Sequence, residues 1–221
     1  MSIKMVFCFI LISVFNTELL STSKTLIYED RIADKKFSHI VKQIQHEKLK
    51  VFNVERYSET LSIRIIDNEM QYLHVKSKKS DNDFEVKRIG NELKISGTFQ
   101  GMKIDKMKRI DSAIWSNAPG LTFENFFKSK KQTIRFWIMS THSLKVIKMR
   151  LQKLGVEDVV INKKKMKLLK VTMAPDSWLS LFWRAHLWVH PETGITYLYK
   201  GPNQDKESSG KLEIVLINEE N

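Results

Sequence analysis

The feature that most limits how this chain can fold is a repeated alternation of apolar and polar residues over short segments, each ended by turn residues. In residues 60–66, apolar residues occupy every second position, and Asp67-Asn68 then leads into another alternating segment. Gly90-Asn91 and Asn162-Lys163 separate further pairs of this kind. Alternation places apolar residues on one face of a strand, and Gly, Asn and Asp accept the positive φ angles of tight turns. Turn signals recurring about every 8 to 12 residues predict an antiparallel all-β domain.

Two segments interrupt this alternation. LTFENFF, residues 121–127, follows Pro119-Gly120 and predicts a helical turn with three phenylalanines on one side. Residues 141–155 fit either a strand or a helix that ends at Gly155. We favour the strand because the neighbouring segments are strands and a short apolar run does not separate the two by its period.

The N-terminus predicts the compartment. An apolar run, residues 5–15, follows Lys4 and precedes polar sequence with small residues. This three-part pattern is typical of a secretory signal peptide, so we expect residues 1–23 to be removed and residues 24–221 to form one exported domain. The alternative is a membrane-spanning helix. Such a helix needs about 20 apolar residues, and this run is too short. We therefore expect no transmembrane anchor after cleavage.

Motifs for catalysis are absent from the sequence. The only cysteine, Cys8, lies inside the predicted signal peptide, so the mature chain would carry no disulfide, thiolate nucleophile or cysteine-ligated zinc. The chain has no G-x-S-x-G nucleophile elbow and no glycine-rich phosphate loop. We predict no catalytic residue and no cofactor. A hydrolase with dispersed residues is an alternative, which a cluster of His142, His186 or His190 with carboxylates would favour.

The stretch RAHLWVHPETGITYLYKG, residues 184–201, predicts a hairpin with a short Pro- and Gly-containing turn. His186 and His190 share one face of its first strand. On a strand they stand about 13 Å apart, at ~3.3 Å per residue, which is too far for one metal ion. Leu187 also occupies the position where a zinc protease motif requires glutamate. We therefore predict an architectural hairpin and no metal site.

The chain is strongly basic, with a formal net charge of +12. Much of the lysine lies in four clusters that fall largely at turns, residues 76–79, 103–109, 128–131 and 163–167. One interpretation is attraction to an anionic envelope surface such as lipid head groups. The other is solvated turn charge combined with a compositional bias toward lysine. Nucleic acid is excluded as a partner because an exported chain seldom meets it and no nucleic-acid-binding motif is present.

The aromatic residues suggest a ligand. All five tryptophans lie in the second half of the chain. Most large aromatic side chains fill a core, but an excess on a curved sheet can line a cleft for an apolar ligand. Residues 174–183 place three large aromatics beside a predicted loop and are a candidate lid or rim. The candidate ligand-binding residues are Trp178, Phe182, Trp183, Trp188, Trp137 and Phe126.

Three stretches carry a resemblance to known proteins. VEDVVINKKKMKLLKVTM, residues 156–173, together with LWVHPETGITYLYKG, residues 187–201, resembles the C-terminal half of exported bacterial all-β proteins of unknown function. LIYEDRIADKKFSHI, residues 26–40, looks like their opening strand pair, with Ser38 where a glycine is common. The hairpin is also distantly similar to that of periplasmic lipoprotein-carrier-like half-barrel proteins. His190 departs from the pattern, since an acidic residue is common there.

The resemblance implies a single antiparallel curved sheet, or open half-barrel, around a short helical segment. It also implies a periplasmic location and transfers no catalytic residue. Our leading hypothesis is a non-enzymatic exported protein that binds a lipid or other apolar envelope ligand in an aromatic-lined cleft. The alternatives are an envelope structural or assembly factor that binds a protein partner through a sheet edge, and the dispersed hydrolase.

Overall fold

The computed structural model describes residues 21–32, 34–57, 59–77, 79–202 and 211–220. Within them the chain forms one sheet of fifteen strands and two short helices. The strands are β1 (Thr22–Ile32), β2 (Lys35–His46), β3 (Leu49–Glu55), β4 (Glu59–Ile66), β5 (Glu69–Ser77), β6 (Asn82–Ile89), β7 (Glu92–Phe99), β8 (Met102–Arg109), β9 (Ile114–Trp115), β10 (Thr133–Met139), β11 (Val146–Ile161), β12 (Lys164–Pro175), β13 (Ala185–Val189), β14 (Thr196–Pro202) and β15 (Lys211–Glu220). The helices are α1 (Pro119–Thr122) and α2 (Glu124–Lys128), and Trp178–Leu181 forms a 3₁₀ turn.

The predicted all-β fold and its helical segment are confirmed. All three tight turns lie where the sequence placed them, and Asp67, Asn68 and Gly90 adopt positive φ angles of 51°, 65° and 58°. The ambiguous segment 141–155 enters a strand, β11, as we favoured. The predicted signal peptide lies outside the described residues up to position 20, and β1 already begins at Thr22. Within the described part of the chain, none of the helices is long and apolar enough to span a membrane.

The sheet consists of two wings that meet at β1 and β15. The strand order is β8-β7-β6-β5-β4-β3-β2-β1-β15-β14-β13-β12-β11-β10-β9, and every pair is antiparallel except β9 with β10. Strand β9 lies at one edge of this order but contacts β5 in the other wing. The sheet must therefore curl back on itself, which gives it an inner and an outer face.

The inner face is filled by the segment that connects the two wings, residues 110–128. Trp115 is fully buried in one cluster with residues of β3 to β7, among them Phe52, Leu73 and Ile95. The three phenylalanines of the helical segment are buried in a second cluster, against Phe136 and other residues of β10 to β13. These aromatic side chains cover the apolar inner faces of both wings, and their burial stabilises the fold.

Polar contacts fix this connecting segment in place. The Asn117 amide donates to the Met139 carbonyl at 2.6 Å, and the Met139 N–H donates back to Asn117 Oδ1 at 2.9 Å. The Asp111 carboxylate accepts hydrogen bonds from Lys148, from Trp137 Nε1 at 2.7 Å and from the Ala113 N–H. These bonds, that from Lys148 first, hold the pKa of Asp111 far below its ordinary value.

The outer face carries a smaller apolar cluster. The long β11–β12 hairpin bends at a bulge beside Gly155, whose φ of 127° favours glycine. Its tip lies against β15, where Asn162 Nδ2 donates to the Leu216 carbonyl at 3.1 Å. Trp188, Ile161 and three neighbouring apolar residues are buried together there.

We expect Trp115→Ala to lower the free energy of unfolding by about 3–5 kcal/mol, because it removes the largest fully buried side chain between the wings. Trp178→Ala is the matched control, since Trp178 is largely exposed, and its cost should stay within about 0.5 kcal/mol. Urea denaturation measures both, and Trp115→Phe gives a milder test if the alanine variant does not fold. Equal losses at the two tryptophans would contradict the account of a filled interior.

Candidate functional site

The connection from β12 to β13, residues 176–184, is a well-formed projecting turn. Asp176 fixes its start by donating its N–H to the Lys148 carbonyl at 2.8 Å. Ser177 caps the 3₁₀ turn, because its hydroxyl oxygen accepts from the Leu179 N–H at 3.3 Å. The N–H groups of Phe182 and Trp183 both donate to the Leu179 carbonyl, at 3.0 and 3.1 Å. The backbone of the connection is therefore held by hydrogen bonds within itself and to Lys148.

Four large apolar side chains of this connection are exposed. Trp178 is 71%, Leu179 42%, Leu181 80% and Phe182 77% exposed. The rings of Trp178 and Phe182 pack edge to face, with centroids 5.9 Å apart. Single exposed apolar residues are ordinary, but adjacent ones on a projecting element mark an interaction surface. We call these four residues the apolar turn.

Charged residues surround the base of the apolar turn. Arg135 Nε donates to Asp176 Oδ2 at 2.8 Å, and an Arg150 nitrogen lies 4.0 Å from Asp176 Oδ1. At the C-terminal end of the connection Arg184 is exposed, directly before β13. Three arginines thus accompany one carboxylate, which leaves the base of the apolar turn positively charged.

The structure brings together only part of the predicted ligand-binding set. Trp178 and Phe182 lie on the apolar turn, and Trp183 lies at its base, half-buried against the inner cluster. Phe126 is buried inside that inner cluster. Trp188 lies on the outer face of the sheet, where its Nε1 donates to Glu157 at 2.6 Å. Trp137 is half-buried, and its indole N–H donates a hydrogen bond to the Asp111 carboxylate.

Two cavities found among the described residues are not lined by these aromatics. One, of about 290 Å³, lies on the outer face of β5 to β7 and is lined largely by polar residues, including His74, Asp83 and Glu85. The other, of about 40 Å³, lies between β1, β3 and α1 and is lined in part by Tyr28 and Phe52. Its volume suits a water molecule rather than an acyl chain.

The two histidines of the β13–β14 hairpin have different surroundings. His190 Nδ1 accepts from the N–H groups of Glu192 and Thr193 at 3.3 Å each and so stabilises the turn. His186 lies at the other end of β13, and its Nδ1 is buried without a partner. In the described ranges no group of three or more His, Cys, Asp and Glu residues is placed to hold a metal ion.

Sequence reasoning missed two histidine–carboxylate pairs. His39 Nδ1 lies 2.6 Å from Asp30 Oδ1 in the interior, and His74 Nε2 lies 2.7 Å from Asp83 Oδ1 on the outer face. Both pairs join neighbouring antiparallel strands, so hairpin register was the signal that could have found them. It also missed Leu179 and the arginines around the apolar turn.

Comparison with known proteins supports the fold. No family model matches the chain, and no curated protein matches it. A β-barrel-like protein of a domain of unknown function, DUF1849, from Brucella abortus has a TM-score of 0.55 at 8% identity, covering 90% of this chain and 97% of that one. The chain shares this β-barrel-like fold. The predicted resemblance to bacterial β proteins of unknown function is thereby confirmed for the fold.

A second solved structure is a putative outer membrane lipoprotein-sorting protein domain from Vibrio parahaemolyticus. It is 10% identical, and the match covers 90% of this chain and 84% of that chain, with a TM-score of 0.24. At that TM-score it carries no argument about the site.

We expect stability to fall when the pH drops below about 6.5, the ordinary pKa of histidine, because burial first, and then Lys170 and Arg184, lower the pKa of His186 in the folded state. Glu157 opposes this shift only in part. Just below about pH 6.5, His186 therefore binds a proton in the unfolded chain but not in the folded chain. His186→Gln should therefore lose less stability than the wild type on acidification.

Urea denaturation at several pH values between neutrality and mild acid measures this difference. His46→Gln is the control, because it leaves His186 in place and should keep the pH dependence of the wild type. An unchanged pH slope in His186→Gln would show that the buried imidazole is not responsible.

Proposed function

We propose that this protein is a non-enzymatic, exported lipid-binding protein that contacts the acyl part of its ligand through the apolar turn. The observation that carries the proposal is that Trp178, Leu179, Leu181 and Phe182 stay exposed side by side. In the same molecule the inner face of the sheet is covered by the chain's own segment 110–128. The binding surface for an apolar ligand is therefore the turn rather than an aromatic-lined cleft.

The size of the apolar turn indicates weak, reversible binding. Fully burying one large apolar side chain contributes about 1.5–3 kcal/mol. Three such side chains give a gain on the order of 5 kcal/mol before the cost of association is subtracted. The net free energy of binding is smaller than this gain, so we expect a Kd of about 0.2 mM or weaker. Such an affinity suits transient contact with a lipid that is abundant where the protein works.

An exported location supports a lipid of the bacterial envelope as the ligand. The signal-peptide pattern of residues 1–23 and the positive charge of the chain both favour it. In this proposal the protein works in the periplasm, where the apolar turn contacts the acyl chains of envelope lipids.

One observation favours the second candidate function, binding of a protein partner at a sheet edge. β8 is an edge strand, and its outer side has no strand partner in the described ranges. None of its eight residues is buried, and Lys103, Lys106, Lys108 and Arg109 make it basic. Lysine on an edge strand discourages pairing between identical edges, whereas an acidic extended peptide has the opposite charge.

A titration tests this second function. We expect an acidic peptide of alternating Glu and Val to shift the backbone NMR signals of β8 if the edge takes up a strand. A peptide of alternating Lys and Val is the control. Shifts confined to side-chain signals, or equal shifts with both peptides, would contradict strand addition at β8.

For the lipid-binding function, we expect Trp178→Ala/Phe182→Ala to bind a zwitterionic lysophosphatidylcholine with a fluorescent acyl chain at least about tenfold more weakly than the wild type. The double variant removes two side chains that would be buried against the acyl chain. Fluorescence anisotropy measures the affinity.

Leu154→Ala/Val160→Ala is the matched control, because these side chains are 52% and 69% exposed on the β11–β12 hairpin, away from the turn. It should bind as the wild type does. Undiminished binding by the Trp178/Phe182 variant would contradict the assignment of the site.

A further inference from the structure

We propose that the apolar turn docks on the surface of an anionic bilayer, with Arg135, Arg150 and Arg184 lying against the lipid head groups. This inference rests on the proposed lipid-binding function and specifies that the protein contacts lipid in a bilayer. It concerns the same surface but adds a partner, an orientation and a dependence on charge.

The shape of the surface favours a bilayer over a single lipid molecule. A pocket that binds one small ligand encloses most of the ligand's surface, about 70–90% of it. The apolar turn is convex instead, since Trp178, Leu181 and Phe182 each expose more than two thirds of their surface on a projecting 3₁₀ turn. A single acyl chain could cover only one side of it. A bilayer surface can surround the whole turn.

The residue types of the turn suit the boundary between head groups and acyl chains. Tryptophan is enriched at this boundary because its ring is apolar and its indole N–H is polar. Leucine and phenylalanine side chains enter the outer acyl region, about 5–10 Å deep, in proteins that lie on membranes. Five N–H groups of the connection donate hydrogen bonds within it or to Lys148, so insertion does not leave these groups unpaired.

The charges at the base of the turn select an anionic surface. Asp176 contacts Arg135 and Arg150 and lies two residues before Trp178, while Arg184 lies two residues after Phe182. The three guanidinium groups therefore flank the apolar side chains from both ends of the connection, with a single carboxylate among them. Guanidinium groups match the oxygens of phosphate head groups in geometry.

Arginine is also unusually concentrated at this place. The chain has 8 arginines against 29 lysines. Arg184 lies on this connection, and Arg135 of β10 and Arg150 of β11 lie against its first residue, Asp176. An apolar insertion and a basic patch together give stable but reversible membrane binding, whereas either alone is marginal. The structure supplies both at the apolar turn.

Docking in this way sets the orientation of the sheet. The β12–β13 connection and the β13–β14 turn lie at opposite ends of β13. The apolar turn would therefore face the bilayer, and the Pro191–Gly194 turn would face away from it. A nitroxide label at Ser180→Cys, within the 3₁₀ turn, leaves the four apolar side chains in place. It should be shielded from water-soluble paramagnetic relaxation reagents when vesicles are added, and a label at Glu192→Cys should not.

The test is co-sedimentation of the protein with vesicles of phosphatidylcholine, with or without phosphatidylglycerol. We expect binding to require phosphatidylglycerol and to weaken when salt rises from ~0.1 M to ~1 M, because the Debye length falls from about 10 to 3 Å. Arg135→Gln/Arg150→Gln/Arg184→Gln should bind these vesicles at least about tenfold more weakly. It should keep its affinity for the zwitterionic acyl probe.

The matched control removes three charges from the edge strand, in Lys106→Gln/Lys108→Gln/Arg109→Gln, and should bind as the wild type does. Arg184→Gln alone is the second variant, because it leaves the contacts of Asp176 intact and is expected to show a smaller loss of the same kind.

Each other outcome overturns a defined part of the account. Equal binding to vesicles with and without phosphatidylglycerol, with the acyl probe still bound at the turn, overturns bilayer docking by charge and leaves the proposed function standing. Binding of Trp178→Ala/Phe182→Ala to anionic vesicles at the wild-type level shows that lysines elsewhere hold the vesicles, which overturns docking through the turn. Absence of binding to both probe and vesicles overturns the proposed function as well.

Discussion

Burial of the connecting segment between the two wings is the interaction on which the rest of this structure depends. The inner faces of β3 to β7 and of β10 to β13 are apolar and need cover. Trp115 covers the first and the phenylalanines of α2 and its flank cover the second, while Asn117 and Asp111 tie the segment to β10 and β11. Without this segment the curled sheet would leave a large apolar surface exposed to water.

Because the interior is filled, we place the proposed site for an apolar ligand on the outside of the molecule. Aromatic residues that looked equivalent in the sequence then have different roles. Phe126 stabilises the inner cluster, Trp188 lies beneath the bent β11–β12 hairpin, and Trp178 is left with little to pack against. The exposed residues lie together between arginines, and the proposed reversible contact with lipid rests on this arrangement.

Local structure could be predicted from the sequence because it depends on neighbouring residues. Asp67-Asn68 and Gly90 indicated tight turns because few residue types accept positive φ angles, and the structure places turns there. Alternation along β13 puts Leu187 and Trp188 on opposite faces of the strand, and the structure buries them in different clusters. The pairing of β1 with β15 and the contact of β9 with β5 join residues far apart in the chain, so no local pattern indicated them.

The apolar turn could be predicted only in part for the same reason. The sequence WLSLFW gives its apolar character, but whether such a stretch packs inward depends on distant strands.

The most direct test of where the acyl chain binds is NMR line broadening by a lysolipid that carries a nitroxide in its acyl chain. Our account predicts that the backbone signals of residues 177–184 broaden most and that those of Trp115 and Phe123 keep their intensity. Strong broadening at Trp115 and Phe123 would place the acyl chain inside the sheet and contradict the account.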